Sequence, residues 1–410
     1  GLEPVRHRPG MYIGGTDNNA LHHLATEIID NSMDEVVAKH ATMINVHLNE
    51  NNTINISDNG RGIPVDNHPK FENKSALEII MTTLHSGGKF TNKNYTTSGG
   101  LHGVGASVVN ALSLFMKVEI IRDGYLYVQE FSRGLPTTPL LKKDKIKKNN
   151  GTSITFKPDP EIFGKNNLFN PNIILNMLEN KAYLFKGVQI NWKCDKSFSN
   201  IYSNLPETRK ICYPNGILDY MNHKTCSKPL FTSSFFHGNV YIDDEAVEWV
   251  VSWLTDNETG FTETFCNTVY TPLGGTHETG LRLALTKGIR NFAELKGFKK
   301  ANEIIYDDLM VSTGSILSVF IQEPQFQGQT KEKLVNSLTT KLVETAIKDR
   351  FETWLSKIQE VGDAIFNRTI NNYEERKRKK KEKEISRKTF SKKVRLPGKL
   401  ADCSSNSFED

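Results

Sequence analysis

The chain has 410 residues, of which 37% are hydrophobic and 24% charged, and its formal net charge is +5. This length favours two or three domains, and the composition is typical of a globular protein. Apolar runs fall well short of the ~18 residues that cross a bilayer, so we expect no membrane partner. The five cysteines form no C-x-x-C pair, which argues against a zinc site or a disulfide framework and fits a reducing compartment. The chain begins at Gly1 rather than Met, and we therefore expect a fragment.

Apolar periodicity predicts the elements of the first half of the chain. Residues such as Leu21 and Ile28 recur at helical spacing, and helices are expected at 19–39, 75–85 and 105–114. Alternating residues predict strands at 43–48, 53–57, 116–121, 125–131 and 152–156. The lysine-rich stretch Lys142–Lys148 is expected to be an exposed loop. These elements predict an α+β architecture, with helices against a mixed sheet.

A second unit is expected after a boundary near residues 200–210. It should contain strands over 239–252, 265–270 and 317–321 and a helix at 276–291. Apolar residues from Lys331 to about Asn367 recur near the helical period, which predicts one long amphipathic helix. The stretch 374–394 is strongly basic.

The first helix carries a polar stripe. His23, Glu27, Asn31 and Asp34 fall at i, i+4, i+8 and i+11, so they share one face. A carboxylate there can orient or deprotonate a water that attacks a γ-phosphate, and His23 can hydrogen-bond Glu27. The amide oxygen of Asn31 is a ligand that Mg²⁺ accepts beside phosphates and waters. The simpler alternative is the solvated face of an amphipathic helix.

The sequence Asp58–Gly62 closes a predicted strand. A carboxylate at a strand end can accept a hydrogen bond from an exocyclic amine such as that of adenine, and the two glycines let the backbone approach a flat base. The alternative is an ordinary turn, because Asp-Asn-Gly is strong turn chemistry.

The glycine-rich stretch Gly99–Gly105 precedes a predicted helix. Its unobstructed backbone N–H groups form a natural anion cradle, although the pattern is neither a P-loop nor a Rossmann turn. Lys89, the hydroxyl of Thr152 and Lys331 can add contacts to phosphate or to the same pocket. Each also has a plainer interpretation: a surface lysine, a strand-start threonine, and a residue after an N-cap-like Thr330.

The order and separation of these motifs resemble those of the GHKL (Bergerat-fold) ATPases and, within them, the B subunits of bacterial type II topoisomerases. The resemblance runs the whole length of the chain. It rests on the stretches Arg8–Gly14, Glu27–Glu35, Asp58–Pro64, Leu84–Phe90, Ser98–Gly105, Gln329–Leu334 and Leu396–Cys403. Three further stretches, 66–71, 183–187 and 395–397, are more similar to the topoisomerase IV branch of α-proteobacterial type than to the gyrase branch, which is the alternative.

The resemblance implies a division of the chain. Residues 1–205 would be the GHKL ATPase domain, and 206–385 an S5-like transducer domain that ends in a long helix. Residues 386–410 would be a linker and the start of a truncated TOPRIM domain.

The resemblance also implies roles for site residues, with ATP and Mg²⁺ as the bound groups. Glu27 would be the catalytic base with His23 as its partner, Lys331 would contact the γ-phosphate, and Asn31 would hold the metal. Arg61 would lie at the pocket rim, paired with Glu35. The implied nucleotide contacts are Asn31, Glu35, Asp58, Arg61, Gly62, Ile63, Pro64, Lys89, Tyr95, Gly99, Gly100, Leu101, His102, Gly103, Val104, Gly105, Thr152, Gln329 and Lys331.

The implied activity is that of an ATP-hydrolysing type II DNA topoisomerase subunit in the bacterial cytoplasm. ATP would close a clamp of two subunits around DNA, and hydrolysis would reset it. The implied partners are DNA, the DNA-cleaving subunit, a second copy of the chain, and aminocoumarin-type inhibitors at the ATP pocket. Relatives often carry arginine at the pocket rim where this chain has Val128, so rim contacts to those inhibitors are expected to be weaker.

Two rival interpretations follow from the same residues. One is another GHKL enzyme (a mismatch-repair ATPase, a chaperone or a histidine kinase), and the Gln329–Lys331 segment before a long helix speaks against it. The other is a DNA-binding module that uses the basic run 374–394, for which the simpler alternative is a solvated helix end.

Overall fold

The computed structural model describes residues 1–68, 71, 74–86, 104–146, 149–328 and 331–393, with side chains up to residue 385. The described residues form a nine-stranded and a five-stranded sheet, each covered by helices, and a separate two-stranded ribbon. The expected α+β class is therefore confirmed.

The nine-stranded sheet holds the first half of the chain. Its strands are β1 (Met43–Asn49), β2 (Thr53–Asp58), β3 (Ser113–Arg122), β4 (Tyr125–Ser132), β5 (Leu135–Pro136), β6 (Leu141–Lys145), β7 (Gly151–Pro158), β8 (Gln189–Cys194) and β9 (Thr208–Ile211). Their order is β5-β4-β3-β7-β2-β1-β8-β9, with β6 paired to β4. Only β1 and β8 pair in parallel among these described strands, so the sheet is mixed as predicted.

Helices pack on this sheet around one apolar core. They are α1 (Glu3–His7), α2 (Gly10–Ile13), α3 (Asn18–Val37), α4 (Ala76–Thr82), α5 (Gly105–Ala111), α6 (Pro160–Phe163), α7 (Pro171–Leu184) and α8 (Lys196–Ile201). Helix α3 is capped by Asp17, whose carboxylate accepts a 2.9 Å hydrogen bond from the N–H of Ala20. Its apolar face, including Leu24 and Ile28, is fully buried, which leaves the polar stripe on the opposite side.

The prediction of an exposed loop over Lys142–Lys148 is wrong for its first part. Strand β6 adds to the sheet edge there, with Lys142 opposite Tyr127 in β4. The Lys142 ammonium lies 3.6 Å from the centre of the Tyr125 ring, which holds a charged strand on the edge. Charged residues are favoured on edge strands because they oppose further pairing.

The five-stranded sheet holds the second half of the chain. Its elements are α9 (Ile217–Thr225), β10 (Phe236–Ile242), β11 (Glu245–Trp253), β12 (Phe261–Cys266), β13 (Val269–Tyr270), α10 (Thr276–Leu295), α11 (Tyr306–Leu309) and β14 (Thr313–Phe320). The strand order is β10-β11-β14-β12-β13. Strand β9, which lies after residue 205, still pairs with β8 in the first sheet. The division of the chain at residue 205 stays a prediction.

The prediction of one helix from Lys331 to Asn367 is wrong in its start and its continuity. Residues 326–327 and 333–334 instead pair as β15 (Phe326–Gln327) and β16 (Lys333–Leu334). Helix α12 (Ser337–Lys357) follows, and the chain bends at Ile358 before α13 (Gln359–Lys393). The apolar period runs through the bend because both helices bury side chains in the same core.

Candidate functional site

Glu27 and His23 lie one turn apart on the polar face of α3. Nε2 of His23 is 3.5 Å from Oε1 of Glu27, and the two side chains are 25% and 21% exposed. The carboxylate therefore lies beside an imidazole while water can still reach it, as a general base requires. Asn31 follows on the same helix and is also partly exposed, whereas Asp34, the fourth residue of the predicted stripe, is buried.

The Glu27 carboxylate lies against the first residue of α5. A methyl group on Gly105 would collide with Oε2 of Glu27. Only glycine lets the chain that leaves the glycine-rich stretch come this close to the carboxylate. The structure thus joins two of the predicted motifs at one contact.

Asp58 is held at the end of β2 by two hydrogen bonds. The hydroxyl of Ser32 donates to Oδ2 at 3.0 Å, and the N–H of Gly60 donates to Oδ1 at 2.9 Å. Burial raises the pKa of Asp58 to about 6, and these hydrogen bonds oppose that rise only in part. The carboxyl group is therefore fixed in place, and its pKa lies closer to neutral pH than that of an ordinary aspartate.

Thr152 lies directly opposite Asp58 in the pairing of β2 with β7. Its hydroxyl accepts a 3.3 Å hydrogen bond from the N–H of Ile63. A methyl group on Gly151 would collide with the carbonyl oxygen of Asp58. The end of β2, the start of β7 and the segment after Asp58 therefore converge, as the sequence predicted for Thr152.

Arg61 and Glu35 form the ion pair expected from the resemblance. Nη2 of Arg61 is 2.8 Å from Oε1 of Glu35, Nε donates to Oε2 at 3.1 Å, and the Arg61 N–H donates to Oε2 at 3.2 Å. The next residue, Gly62, has φ +78, and its carbonyl accepts a 2.9 Å hydrogen bond from Arg122. This paired geometry fixes the segment between Asp58 and Pro64 to α3.

Several predicted site residues lie outside the described part of the chain. They are Lys89, Tyr95, Gly99, Gly100, Leu101, His102, Gly103 and Gln329. Their roles stay predictions.

Lys331 lies in the loop between β15 and β16, with φ 57. The stem of that loop is tied to the segment before α10: the N–H of Leu273 donates to the carbonyl of Glu332 at 3.0 Å, and that of Leu334 donates to the carbonyl of Gly274 at 3.1 Å. A methyl group on Gly275 would collide with the backbone of Leu334. The placement of Lys331 therefore depends on the turn that starts α10.

Val128 is buried in β4, opposite Glu119 of β3 and Leu141 of β6. Its small apolar side chain is packed within the sheet.

Two sets of contacts around α3 were missed from sequence. Ser32 supports Asp58, and a buried ion pair links Asp30 to Lys181 at 2.6 Å. A carboxylate directly after the apolar pair Ile28–Ile29 was the available signal for Asp30. Its partner lies on another helix, so no spacing in the sequence could identify it.

Family models match both halves of the chain. Residues 16–162 match the family of histidine kinase-, DNA gyrase B-, and HSP90-like ATPases, and residues 216–385 match the DNA gyrase B family. No helix in the described ranges is both long and apolar enough to span a membrane.

Curated relatives match along the whole chain. The B subunit of DNA topoisomerase 4 from Rickettsia prowazekii is 49% identical over 411 residues, which cover 100% of this chain and 62% of the relative. Its counterpart from Caulobacter vibrioides is 50% identical over 414 residues, which cover 100% of this chain and 59% of the relative. The chain thus spans about three-fifths of the length of these relatives.

Solved structures share the fold. The topoisomerase IV ATP-binding domain of Francisella tularensis, in complex with a small-molecule inhibitor, has a TM-score of 0.76 and 36% identity and covers 92% of this chain and 98% of its own. The 43K ATPase domain of Thermus thermophilus gyrase B, in complex with an aminocoumarin, has a TM-score of 0.75 and 32% identity and covers 94% of this chain and 98% of its own. With the joined motifs on α3, β2 and α5, these matches mean that the chain belongs to the B-subunit family of type II DNA topoisomerases and has the GHKL ATPase fold followed by the gyrase B-type second domain.

Proposed function

We propose that this chain is the ATPase and transducer part of a topoisomerase IV B subunit. It binds ATP between α3, the end of β2 and the start of α5, and it hydrolyses the γ-phosphate bond. The observation that carries the proposal is the contact of the Glu27 carboxylate with Gly105, because it puts a partly exposed base where the glycine-rich stretch enters a helix.

In this proposal Glu27 takes the proton of the water that attacks the γ-phosphate. His23, 3.5 Å away, orients Glu27 and shares its charge. Asp58 accepts a hydrogen bond from the adenine amine, since its two oxygens are already fixed by Ser32 and Gly60. Thr152 lies beside it, and Arg61 and Glu35 form the rim.

Mg²⁺ fits the residues present. Among the described residues no three or more His, Cys, Asp or Glu side chains form a metal cluster. Mg²⁺ is commonly held by one or two protein oxygens together with phosphates and waters, and Asn31 offers one amide oxygen a single turn after Glu27. When bound, the ion would neutralise charge on the phosphate oxygens.

We further propose that ATP closes two copies of the chain into a clamp around DNA, with Lys331 reporting the γ-phosphate to the second domain. Hydrolysis resets the clamp, and a separate subunit cleaves the DNA. The exposed, strongly basic part of α13 supplies charge that DNA phosphates attract. Aminocoumarin-type inhibitors compete at the ATP pocket, with weak contacts at the rim because Val128 is apolar and buried. The site of action is the bacterial cytoplasm.

The test is a matched set of variants with nucleotide binding and phosphate release measured side by side. Glu27→Gln should bind ATP with unchanged affinity and lose nearly all turnover. Asp58→Ala should lose affinity instead. Glu3→Gln, which changes a carboxylate that is 74% exposed on α1, serves as the control and should change neither. Normal turnover by Glu27→Gln would reject the assignment of the base.

The full-length protein with its cleavage partner decides between the two branches of the family. Decatenation of linked circles without ATP-driven negative supercoiling is expected. Supercoiling would make the chain a gyrase B subunit, the alternative function.

A further inference from the structure

A buried lysine connects the helix of the candidate base to the second half of the chain. Nζ of Lys181, on α7, lies 2.6 Å from Oδ1 of Asp30, on α3, and both residues are buried. The same ammonium donates a 2.7 Å hydrogen bond to the carbonyl oxygen of Thr268, which follows β12 of the second sheet. One side chain thus bridges the ATPase half and the transducer half.

The segment that receives Lys181 is rigidly built. Asn267 and Thr268 form the turn between β12 and β13 with φ 48 and 66, which is unusual for a branched residue such as Thr268. The Asn267 side chain accepts from the N–H of Ile321 at 2.9 Å and donates to its carbonyl at 3.0 Å. The Thr268 carbonyl is therefore anchored to the residue that follows β14, ten positions before Lys331.

Asp30 occupies a position from which it can orient the candidate base. It lies between Glu27 and Asn31 in the sequence of α3, on the neighbouring face that turns towards α7. Apolar contacts of Ile28 and Ile29 hold the helix in the core, but such contacts are non-directional. A short ion pair between two buried groups holds Asp30 close to α7, and separating the charges is costly, so the pair resists rotation or sliding of the helix.

A different contact between the same two parts of the chain is an ion pair. Lys186, two residues after the end of α7, lies 2.5 Å from Glu248 of β11. That pair does not include a residue of α3. Removing this pair should weaken the attachment of the two halves to each other without moving the candidate base, so it provides a control.

We propose that Lys181 is a positioning residue for ATP hydrolysis: it sets the placement of the Glu27–Asn31 turn through Asp30 and ties that placement to the Thr268 turn and the strand that leads to Lys331. The turnover part of this inference rests on the proposed function. A movement of β14 or of the Lys331 loop would then be transmitted to the base through the side chains of three residues and one backbone carbonyl. The side chains are those of Asn267, Lys181 and Asp30, and the carbonyl is that of Thr268.

The test removes the charge pair as a unit. The double variant Asp30→Asn, Lys181→Met leaves no unpaired charge in the core. Lys181→Met alone would leave the buried carboxylate of Asp30 without a partner. We expect kcat to fall about tenfold while the affinity for ATP changes less than about threefold, because only the placement of the base is altered.

A second measurement does not depend on turnover. Hydrogen exchange of peptides spanning residues 261–270 and 313–328 is recorded with and without a non-hydrolysable ATP analogue. The unmodified chain should show slower exchange in these peptides on binding, and the double variant should lose this response. Lys186→Met, the control, should keep the response and change kcat less than about twofold.

Equal losses in Lys186→Met and in the double variant would overturn the inference, since attachment alone would then explain them. Normal kcat and a normal exchange response in the double variant would overturn it as well. If the unmodified chain bound the analogue but hydrolysed no ATP, the proposed function alone would fail, because the exchange comparison would still test Lys181.

Discussion

The carboxylate of Glu27 lies so close to Gly105 that a methyl group at position 105 would overlap Oε2. The overlapping atom is the far end of a flexible side chain. Glu27 can therefore rotate away without disturbing the backbone, so this close approach matters for the position of the carboxylate more than for the stability of the fold.

Gly105→Ala should therefore inactivate the chain without unfolding it. We expect turnover of ATP to fall by about tenfold or more, because a displaced base loses its alignment with the attacking water. The melting temperature should hardly change, since alanine favours a helix by about 1 kcal/mol over glycine. Gly15→Ala is the control, because its methyl group would come no closer than 3.8 Å to any neighbour. Equal turnover in the two variants would contradict the argument.

Asp58→Asn should stabilise the chain at neutral pH and not at acidic pH. The folded carboxyl has a pKa of about 6 against 3.8 unfolded, so the folded chain binds more protons between these values and its stability falls as pH rises through them. Above pH 6 the ionised group costs on the order of 3 kcal/mol. Because asparagine also weakens the bonds from Ser32 and Gly60, we expect a net gain of about 1–2 kcal/mol at pH 7.5.

Urea unfolding at pH 4 and pH 7.5 measures this difference. Asp123→Asn, at a side chain that is 82% exposed, provides a control. A gain of the same size at both pH values would show that burial of the charge is not its cause. The stabilised variant should also bind ATP more weakly.

Much of the first half could be read from local patterns. The apolar period placed α3 within one or two residues, and alternation placed β1, β2, β3, β4 and β7. These elements are amphipathic, so the spacing of apolar residues in each one shows which face is buried. The pairing of Arg61 with Glu35 followed from the resemblance and is present.

What the sequence did not contain are contacts that tertiary packing creates. All residues of the edge strand β6 are exposed, and its lysine-rich sequence shows no alternation of apolar and polar residues. The bend at Ile358 interrupts a helix whose apolar period continues across it. Lys181 and Asp30 lie 151 positions apart in sequence and meet only because α7 packs on α3. Periodicity describes one element at a time and cannot supply such pairs.

Gly275→Ala should lower both the stability of the chain and its ATP turnover. Gly297→Ala should lower stability only slightly and leave turnover unchanged. Both glycines have positive φ, 143 and 81, so both variants carry backbone strain, and the strain is larger at Gly275, whose φ of 143 and ψ of −157 lie in a region that is essentially restricted to glycine. At Gly275 the methyl group would also meet the backbone of Leu334, while at Gly297 nothing lies within 4 Å. The additional displacement moves the stem of the Lys331 loop.

Denaturant unfolding and ATP turnover of the two variants, measured together, test this prediction. We expect the excess loss of stability at position 275 to be about 1–3 kcal/mol, in the range of overpacked cores. Indistinguishable behaviour of the two variants would mean that the contact with Leu334 does not position the loop.

His277 should make the second half of the chain sensitive to acid. The side chain is fully buried, and Nε2 of His277 lies 3.0 Å from the hydroxyl oxygen of Thr271. Nδ1 then has no hydrogen-bond partner among the described residues, and burial lowers the pKa to about 4. The unfolded chain binds more protons between pH 4 and 6.5, so stability is lost as pH falls through this window, by about 3 kcal/mol in total.

This slope is opposite to that of Asp58, so the two largely offset each other in the unmodified chain between pH 4 and 6. Asp58→Asn should uncover the acid sensitivity, and adding His277→Gln, whose amide can hydrogen-bond Thr271 but does not titrate, should flatten the profile again. The free energy of unfolding against pH for both variants tests this, with His7→Gln, at a side chain that is 75% exposed, as the control. An unchanged slope on adding His277→Gln would mean that the buried imidazole does not limit stability in acid.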